Sequence, residues 1–135
     1  MLTLLLDENI DGYAEYLSRV IYSPEWSEIS SFLAVRFVTF EEVGLAKGTP
    51  DERIWELCQQ QQFYLITDNR KDDGPDSLES MIRTRGLPTS LPMSTISDIQ
   101  RLRSEREYVE ILVVKLLEYL IDATNLRGVG RLYLP

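Results

Sequence analysis

The sequence contains no histidine and a single cysteine, Cys58. One cysteine cannot form a disulfide within the chain, and without histidine there is neither a Cys/His zinc site nor an imidazole acid or base. These absences argue against zinc enzymes and against catalytic triads that use histidine. We expect Cys58 to be an ordinary core residue.

Long apolar runs are also lacking. The longest, 1–6 and 111–114, fall far short of the roughly 20 residues that cross a bilayer, and no basic segment precedes an apolar one. We therefore expect no membrane segment and a cytoplasmic protein. With 135 residues, 44% hydrophobic and 27% charged, the chain should form one domain over 1–135. An α/β core is expected over 1–103, with a C-terminal helix and tail over 104–135.

Basic residues are scarce in the first half of the chain. The formal charge is −8, and residues 1–69 hold 12 acidic and 4 basic side chains, whereas residues 70–135 hold ten of each. A chain with this balance does not hold nucleic acid by charge alone, because that affinity comes from Lys and Arg. The acidic excess of the first half therefore needs a local explanation.

The spacing of apolar residues predicts strands that alternate with helices. Strands are predicted over 2–6, 34–40, 63–67 and 91–95. Helices are predicted over 10–20, 24–33, 49–62, 76–83 and 104–122. This alternation indicates an α/β fold with a mainly parallel central sheet.

The helix over 104–122 has the clearest amphipathic pattern. Its predicted apolar face comprises Tyr108, Ile111, Leu112, Lys115, Leu116, Tyr119 and Leu120. This long C-terminal helix is a candidate for homodimer contacts. The segment 132–134 that follows is predicted to be either an added strand or a partner-binding segment.

Polar residues mark three helix starts. Thr49 is predicted as an N-cap with Glu52 at the capping-box position, Asp76 as the N-cap of the next helix, and Ser97 as a cap before Asp98. Each assignment gives these polar side chains a structural role. Asp51 likewise has a structural alternative as an acid in the first turn of a helix.

Acidic residues follow two predicted strands and begin one helix. Asp7 and Glu8 end the first strand, Asp68 ends the third, and Asp51 begins the helix after the second strand. These positions share one edge of a parallel sheet, where ligands bind in such folds. Clustered carboxylates repel unless a cation lies among them, and their hard oxygens favour Mg²⁺ or Mn²⁺. Neighbours that could contact phosphate or position water are Asn9, Asn69, Arg70 and Lys71.

Three segments together resemble the short PIN-like proteins, a toxin-like group. They are Leu4-Leu5-Leu6-Asp7-Glu8-Asn9-Ile10, Gly48-x-x-Asp51-Glu52-x-Ile54-Trp55 and Leu65-Ile66-Thr67-Asp68, and the match covers about residues 1–70. The resemblance implies a three-layer α/β/α PIN-like fold, a Mg²⁺ or Mn²⁺ site and endonuclease activity on RNA. It implies that Asp7, Asp51 and Asp68 are the catalytic and metal-binding acids, with Glu8 as a further ligand and Asn9 beside them.

The sequence departs from that pattern after Thr67. The short PIN-like proteins usually continue as Thr-x-Asp-x-Asp-Phe, whereas here Asp68 follows directly and Asn69 stands where an acid is expected. A neutral asparagine binds a cation more weakly than a carboxylate does. A second hypothesis is therefore a catalytically degenerate PIN-like module that binds a protein, either an antitoxin-like partner or a second copy.

Two further hypotheses stay open at this stage. A response-regulator-like receiver also carries acids after two strands, but the spacing from Asp7 to Asp68 is long and no lysine follows a fifth strand. The other hypothesis is an α/β domain without catalytic activity, in which the acids at the edge of the sheet are simply solvated. If RNA is the substrate, the residues expected to hold it beside the metal are Arg70, Lys71, Arg83, Arg85, Arg101 and Arg103.

Overall fold

The central element is a five-stranded sheet in which all neighbouring strands are parallel. A computed structural model describes residues 1–68 and 77–135. The strands are β1 (Leu2–Leu6), β2 (Val35–Val38), β3 (Tyr64–Thr67), β4 (Met93–Ile96) and β5 (Arg131–Leu134), in the order β2-β1-β3-β4-β5. This confirms the predicted α/β class with a parallel sheet.

Helices cover both faces of the sheet. They are α1 (Ala14–Ile21), α2 (Ser27–Leu33), α3 (Asp51–Gln61), α4 (Leu78–Arg85), α5 (Ile99–Ser104), α6 (Arg106–Ile121) and the short α7 (Ala123–Leu126). Because successive side chains of a strand point to opposite faces, Leu4 and Leu6 pack in the core with α1 and α6, whereas Leu5 packs with α3 and α4. The arrangement has three layers, helix on sheet on helix.

The long helix α6 lies against the sheet with its apolar face buried. Its buried residues are Tyr108, Val109, Leu112, Val113, Leu116, Leu117 and Leu120. Ile111, predicted on that face, is 54% exposed, and Val109 and Val113 take its place. The actual face is rotated because apolar residues occur on several sides of this helix, so periodicity alone does not fix its orientation.

The segment after α7 is the edge strand β5, which pairs with β4 from Arg131 to Leu134. This finding selects the added-strand alternative for the tail. Within the part of the chain that the structure describes, no helix is both long and apolar enough to span a bilayer.

The capping box predicted at the start of α3 is wrong. Pro50 occupies the N-cap position, in an extended conformation, and makes no side-chain capping bond. The Thr49 hydroxyl instead donates to the Ala46 carbonyl at 2.5 Å. Glu52 turns to Arg85, 3.4 Å away, rather than back to the helix start. Thr49 lies one residue too early, because the helix begins after the proline.

The cap of α5 is Asp98 and not Ser97, which corrects the predicted role of the serine. The Asp98 carboxylate accepts from the amides of Gln100 and Arg101, at 3.1 and 3.2 Å. The Ser97 hydroxyl instead donates to the carbonyl of Leu134 at 2.5 Å. The adjacent strand β5 therefore takes up the serine and leaves the cap to the next residue.

The start of α4 is capped by a serine. Ser77 accepts from the amide of Ser80 at 3.1 Å. Asp76, predicted as this cap, lies outside the described residues. Glu79 in the first turn forms an ion pair with Arg131 of β5, so this helix is linked to the edge of the sheet.

Candidate active site at the carboxyl edge of the sheet

The sheet has one place where the direction of strand progression reverses, between β1 and β3. The chain passes from β1 to β2 on one side and returns to β3 on the other. In open α/β sheets, ligands bind outside the carboxyl ends of the strands at such a point. Asp7 directly follows β1 and Asp68 directly follows β3. The topology therefore puts two of the three predicted acids at the expected location of a binding site.

Asp7 is the most buried acid of this edge, with 9% of its surface exposed. One carboxylate oxygen accepts from the Glu8 amide at 2.8 Å, and the other accepts from the Thr67 hydroxyl at 2.7 Å. Its own amide donates to the Ile66 carbonyl at 2.9 Å, which continues the β1–β3 pairing by one residue. The side chain is thus fixed by Thr67 at the end of β3 and by the backbone of the next residue.

The electrostatic surroundings raise the pKa of Asp7 above its usual value of 3.8. Burial is the main cause, because loss of water disfavours the charged form. The hydrogen bonds from Thr67 and Glu8 act in the opposite direction, while the carboxylates of Asp51 and Asp68 raise the pKa further. Both other predicted acids therefore lie close enough to act on Asp7 through their charge.

Glu8 connects this edge to the loop that leads into α3. Both of its carboxylate oxygens accept from the Gly48 amide, at 3.2 and 3.1 Å. Gly48 has a positive φ of 76°, which glycine adopts without strain. Since Asp51 is the first residue of α3, this contact fixes the loop just before that acid.

The remaining predicted site residues differ in how they can be placed. Asn9 is exposed next to Glu8, and Asn69 and Arg70 lie outside the described residues. Across residues 1–68 and 77–135, no set of three or more acidic or cysteine side chains is positioned to share one metal ion. Asp51 and Asp68 thus act on Asp7 by charge without forming a closed ligand set around it.

The basic residues predicted to contact RNA are split between the two edges of the sheet. Arg83 and Arg85 lie in the last turn of α4, which runs from the carboxyl edge after β3 to the amino edge before β4. Arg101 and Arg103 lie in α5, which begins just after β4 at the carboxyl edge. Lys71 is outside the described residues. Of the four arginines that were predicted to contact RNA and lie within the described residues, Arg101 and Arg103 are therefore the two on the Asp7 side.

Two features of the sheet were missed by the sequence analysis. The first is Thr67, which bonds Asp7 and stands beside Thr95 in the β3–β4 register. The second is Arg131, whose side chain is only 7% exposed, pairs with Glu79 at 2.6 Å and donates to the Thr95 hydroxyl. For Thr67, the sequence offered one indication. Side chains alternate between the two faces of a strand, so Leu65 and Thr67 lie on the same face.

Comparison of the chain with known protein families, curated proteins and solved structures finds no match. Support for a function therefore comes from the site itself. The site consists of the buried Asp7 carboxylate, held in place by Thr67, and of two further carboxylates that raise the pKa of Asp7 beyond the effect of burial. All of these groups are hard oxygen donors. Such donors suit Mg²⁺ and Mn²⁺.

Proposed function

We propose that the chain is a PIN-like, metal-dependent endoribonuclease that hydrolyses RNA phosphodiesters. In this proposal Asp7, Asp51 and Asp68 hold Mg²⁺ or Mn²⁺. The observation that carries it is the buried Asp7 carboxylate at the β1–β3 reversal, with a pKa that Asp51 and Asp68 both raise. A buried carboxylate whose ionisation is disfavoured by burial and by two neighbouring carboxylates, at a ligand-binding edge, is an arrangement that a bound cation would stabilise.

The donor chemistry at this edge fits a hard divalent ion. The three acids offer only oxygen ligands, and a cation beside Asp7 would favour its ionised form and so oppose the effect of burial. Such an ion supplies neutralisation of phosphate charge and a lowered pKa for a bound water. Glu8 completes the proposed ligands, while Asn9, Asn69 and Arg70 are proposed to contact phosphate or to position water.

Within the protein, Thr67 and Glu8 keep the site in order. The Thr67 hydroxyl and the Glu8 amide each bind one oxygen of Asp7 and so fix its rotamer before any ligand arrives. The Glu8 carboxylate holds the Gly48 amide and with it the loop that precedes Asp51. Arg101 and Arg103 are the cations proposed to attract the RNA backbone toward this edge.

The test combines metal binding with RNA cleavage. Purified protein should bind Mn²⁺ in isothermal titration calorimetry and cleave a single-stranded RNA only when Mn²⁺ or Mg²⁺ is present. Asp7→Asn should abolish both, because it removes a charged ligand while keeping the shape of the side chain. Glu28→Gln, on the exposed surface of α2, is the matched control and should preserve both activities.

Two outcomes would count against the proposal. Absence of Mn²⁺ binding by the parent protein is one, and full cleavage by Asp7→Asn is the other. Cleavage that persists equally in the parent, Asp7→Asn and Asp68→Asn proteins would assign the activity to a contaminating nuclease and would likewise count against the proposal.

A second candidate is a degenerate PIN-like module that binds an antitoxin-like protein or a second copy through the C-terminal helix. Two observations favour it, the absence of a closed three-acid ligand set within the described residues and the asparagine at position 69. Partner binding that is unchanged in Asp7→Asn, together with no Mn²⁺ uptake by the parent, would select this candidate over the nuclease.

A further inference from the structure

A cavity of about 540 Å³ lies at the opposite edge of the sheet from Asp7. Its walls come from loop 86–91, which precedes β4, and from residues 127–130, which precede β5. Parallel strands put both loops at the amino edge. The apolar lining includes Trp55, Ile82, Leu87, Leu91 and Val129. This volume falls in the range of about 300–1,000 Å³ typical of small-molecule sites.

The backbone around the cavity is held together by close contacts between the two loops. The Gly128 amide donates to the Ser90 carbonyl at 2.9 Å, and the Met93 amide donates to the Gly130 carbonyl at 2.9 Å. A Cβ at Gly128 would lie 2.8 Å from the Pro88 carbonyl oxygen, and one at Gly130 would lie 2.7 Å from the Ile82 side chain. The cavity is therefore built on a preformed wall that admits no larger residues at these positions.

One cation, Arg127, lines this cavity. Its guanidinium donates to the Thr89 carbonyl at 2.8 Å and to the Gln62 side-chain oxygen at 2.9 Å, both of them neutral acceptors. Within residues 1–68 and 77–135, no carboxylate lies within ion-pair distance of it. A guanidinium has five N–H groups, so three are left for another acceptor.

Arg85, which also borders Trp55, differs from Arg127 in that its charge is paired. Arg85 lies over the Trp55 ring at 5.3 Å and is neutralised by Glu56 at 2.8 Å and Glu52 at 3.4 Å. Arg127 is anchored in a fixed position yet keeps its charge uncompensated, in a chain whose net charge is −8. The cavity is therefore complementary to a ligand with an anionic group at the rim and an apolar group inside.

We propose that this cavity binds a small organic acid, with its apolar or aromatic body against Trp55 and Leu87 and its carboxylate on Arg127. Arg127 suits this role because a fixed, planar guanidinium recognises carboxylates through paired hydrogen bonds. The site is separate from the metal edge and does not depend on the proposed nuclease activity. A protein segment carrying an acidic side chain is the competing occupant, and the test distinguishes the two.

The experiment follows the Trp55 indole signal in NMR spectra of ¹⁵N-labelled protein during titration with 4-phenylbutyrate and with its neutral analogue 4-phenylbutanamide. The two probes have the same apolar body and differ in charge. We expect saturable shifts for both, with the acid binding at least five-fold more tightly. Arg127→Met should abolish this preference while still binding the amide, and Arg127→Lys should retain most of it.

Arg19→Met is the matched control, because it removes one exposed arginine from α1 and should leave the five-fold preference intact. Equal affinity for acid and amide in the parent protein, or an unchanged preference in Arg127→Met, would overturn the proposal. So would the loss of the preference in Arg19→Met, which would assign it to the overall charge. Binding of an acetyl-Leu-Glu-Leu-amide peptide without binding of phenylbutyrate would also overturn it, in favour of a protein partner.

Discussion

The ionisation of Asp7 is subject to two opposing effects. Burial and the nearby carboxylates of Asp51 and Asp68 disfavour its charge, while hydrogen bonds from Thr67 and Glu8 favour it. The raised pKa means that burial and like charges prevail over the hydrogen bonds. Ionisable groups with perturbed pKa values cluster at functional sites, and the function proposed for Asp7 is to bind a cation.

The first prediction concerns the pH dependence of stability. Below pH 3.8, Asp7 is protonated in both the folded and the unfolded protein, so its burial carries no electrostatic penalty. As the pH rises from 3.8 through the raised folded pKa, the unfolded state ionises more readily than the folded state, so the folded protein loses stability. Asp7→Asn removes this loss. In urea denaturation without metal, the free energy of unfolding of Asp7→Asn relative to that of the parent should therefore increase from pH 4 to pH 7.

Glu28→Gln serves as the control for that comparison, because it removes an exposed carboxylate on α2 and should change stability by less than about 0.5 kcal/mol. An Asp7→Asn protein whose stability relative to the parent declines between pH 4 and pH 7 would contradict the electrostatic description of the site.

The second prediction concerns Cys58. It is buried in the core with Leu5 and Ile54, and burial, with a smaller contribution from the Asp7 charge, raises the pKa of its thiol to about 12. The reactive thiolate is then negligible at pH 8 in the folded protein. Labelling by 5,5′-dithiobis(2-nitrobenzoate) should occur only as the protein unfolds and at full rate in urea. Rapid labelling of the native protein would show that this part of the core is open.

Sequence reasoning identified some residues of the site but not the contacts that hold them. Asp7 and Asp68 were found because each ends an apolar strand, a pattern that is visible locally. The Thr67–Asp7 bond joins residues 60 positions apart and follows from the register of β1 and β3. Register depends on the whole sheet, so this partner was not predictable from local spacing.

At the scale of secondary structure, the ion pair of Glu79 and Arg131 joins α4 to the edge strand β5. Arg131 is nearly buried, and its guanidinium also bonds Thr95 of β4. A buried arginine is tolerated only when its charge is compensated. This pair therefore supports both the position of β5 and the packing of α4 on the sheet.

The third prediction follows from that burial. Glu79→Ala removes the carboxylate paired with a buried charge and should lower the free energy of unfolding by about 3 kcal/mol. Glu56→Ala, which removes a carboxylate from the half-exposed Arg85, should lower it by less than about 1 kcal/mol. Urea denaturation of the two variants and the parent checks this difference, and equal losses would contradict it.

Element types were predicted well, whereas element ends and helix orientation were not. Strands were found because apolar runs such as 2–6 are long enough to be recognised. The caps of α3 and α5 differ from prediction because Thr49 and Ser97 found backbone carbonyl partners, in a turn and on β5 respectively. Such alternatives become visible only once the surrounding chain is placed.

At the scale of the whole molecule, the sheet order explains why some acids of the first half of the chain lie at one edge. Strands β1 and β3 are neighbours with β2 outside them, so Asp7 and Asp68 follow adjacent strands although 60 residues separate them. The remaining acids of that half include surface residues such as Glu28. The opposite edge carries Arg83, Arg85 and Arg127, of which Arg85 is paired with Glu52 and Glu56.

The same strand order is common among doubly wound sheets and does not by itself select a nuclease over a receiver-like domain. The two hypotheses differ in their chemistry. A receiver-like domain would be labelled by an acyl-phosphate donor in a manner abolished by Asp68→Asn. The nuclease proposal predicts no such label.

The fourth prediction, which tests the central proposal most directly, is the position of Mn²⁺ in crystals of the protein soaked with that ion. We expect one anomalous-difference peak among the carboxylates of Asp7, Asp51 and Asp68, and we expect this peak to vanish in crystals of Asp7→Asn. A soaked parent crystal with no peak between these three side chains, or a peak that persists unchanged in Asp7→Asn, would contradict a metal-dependent function at this edge.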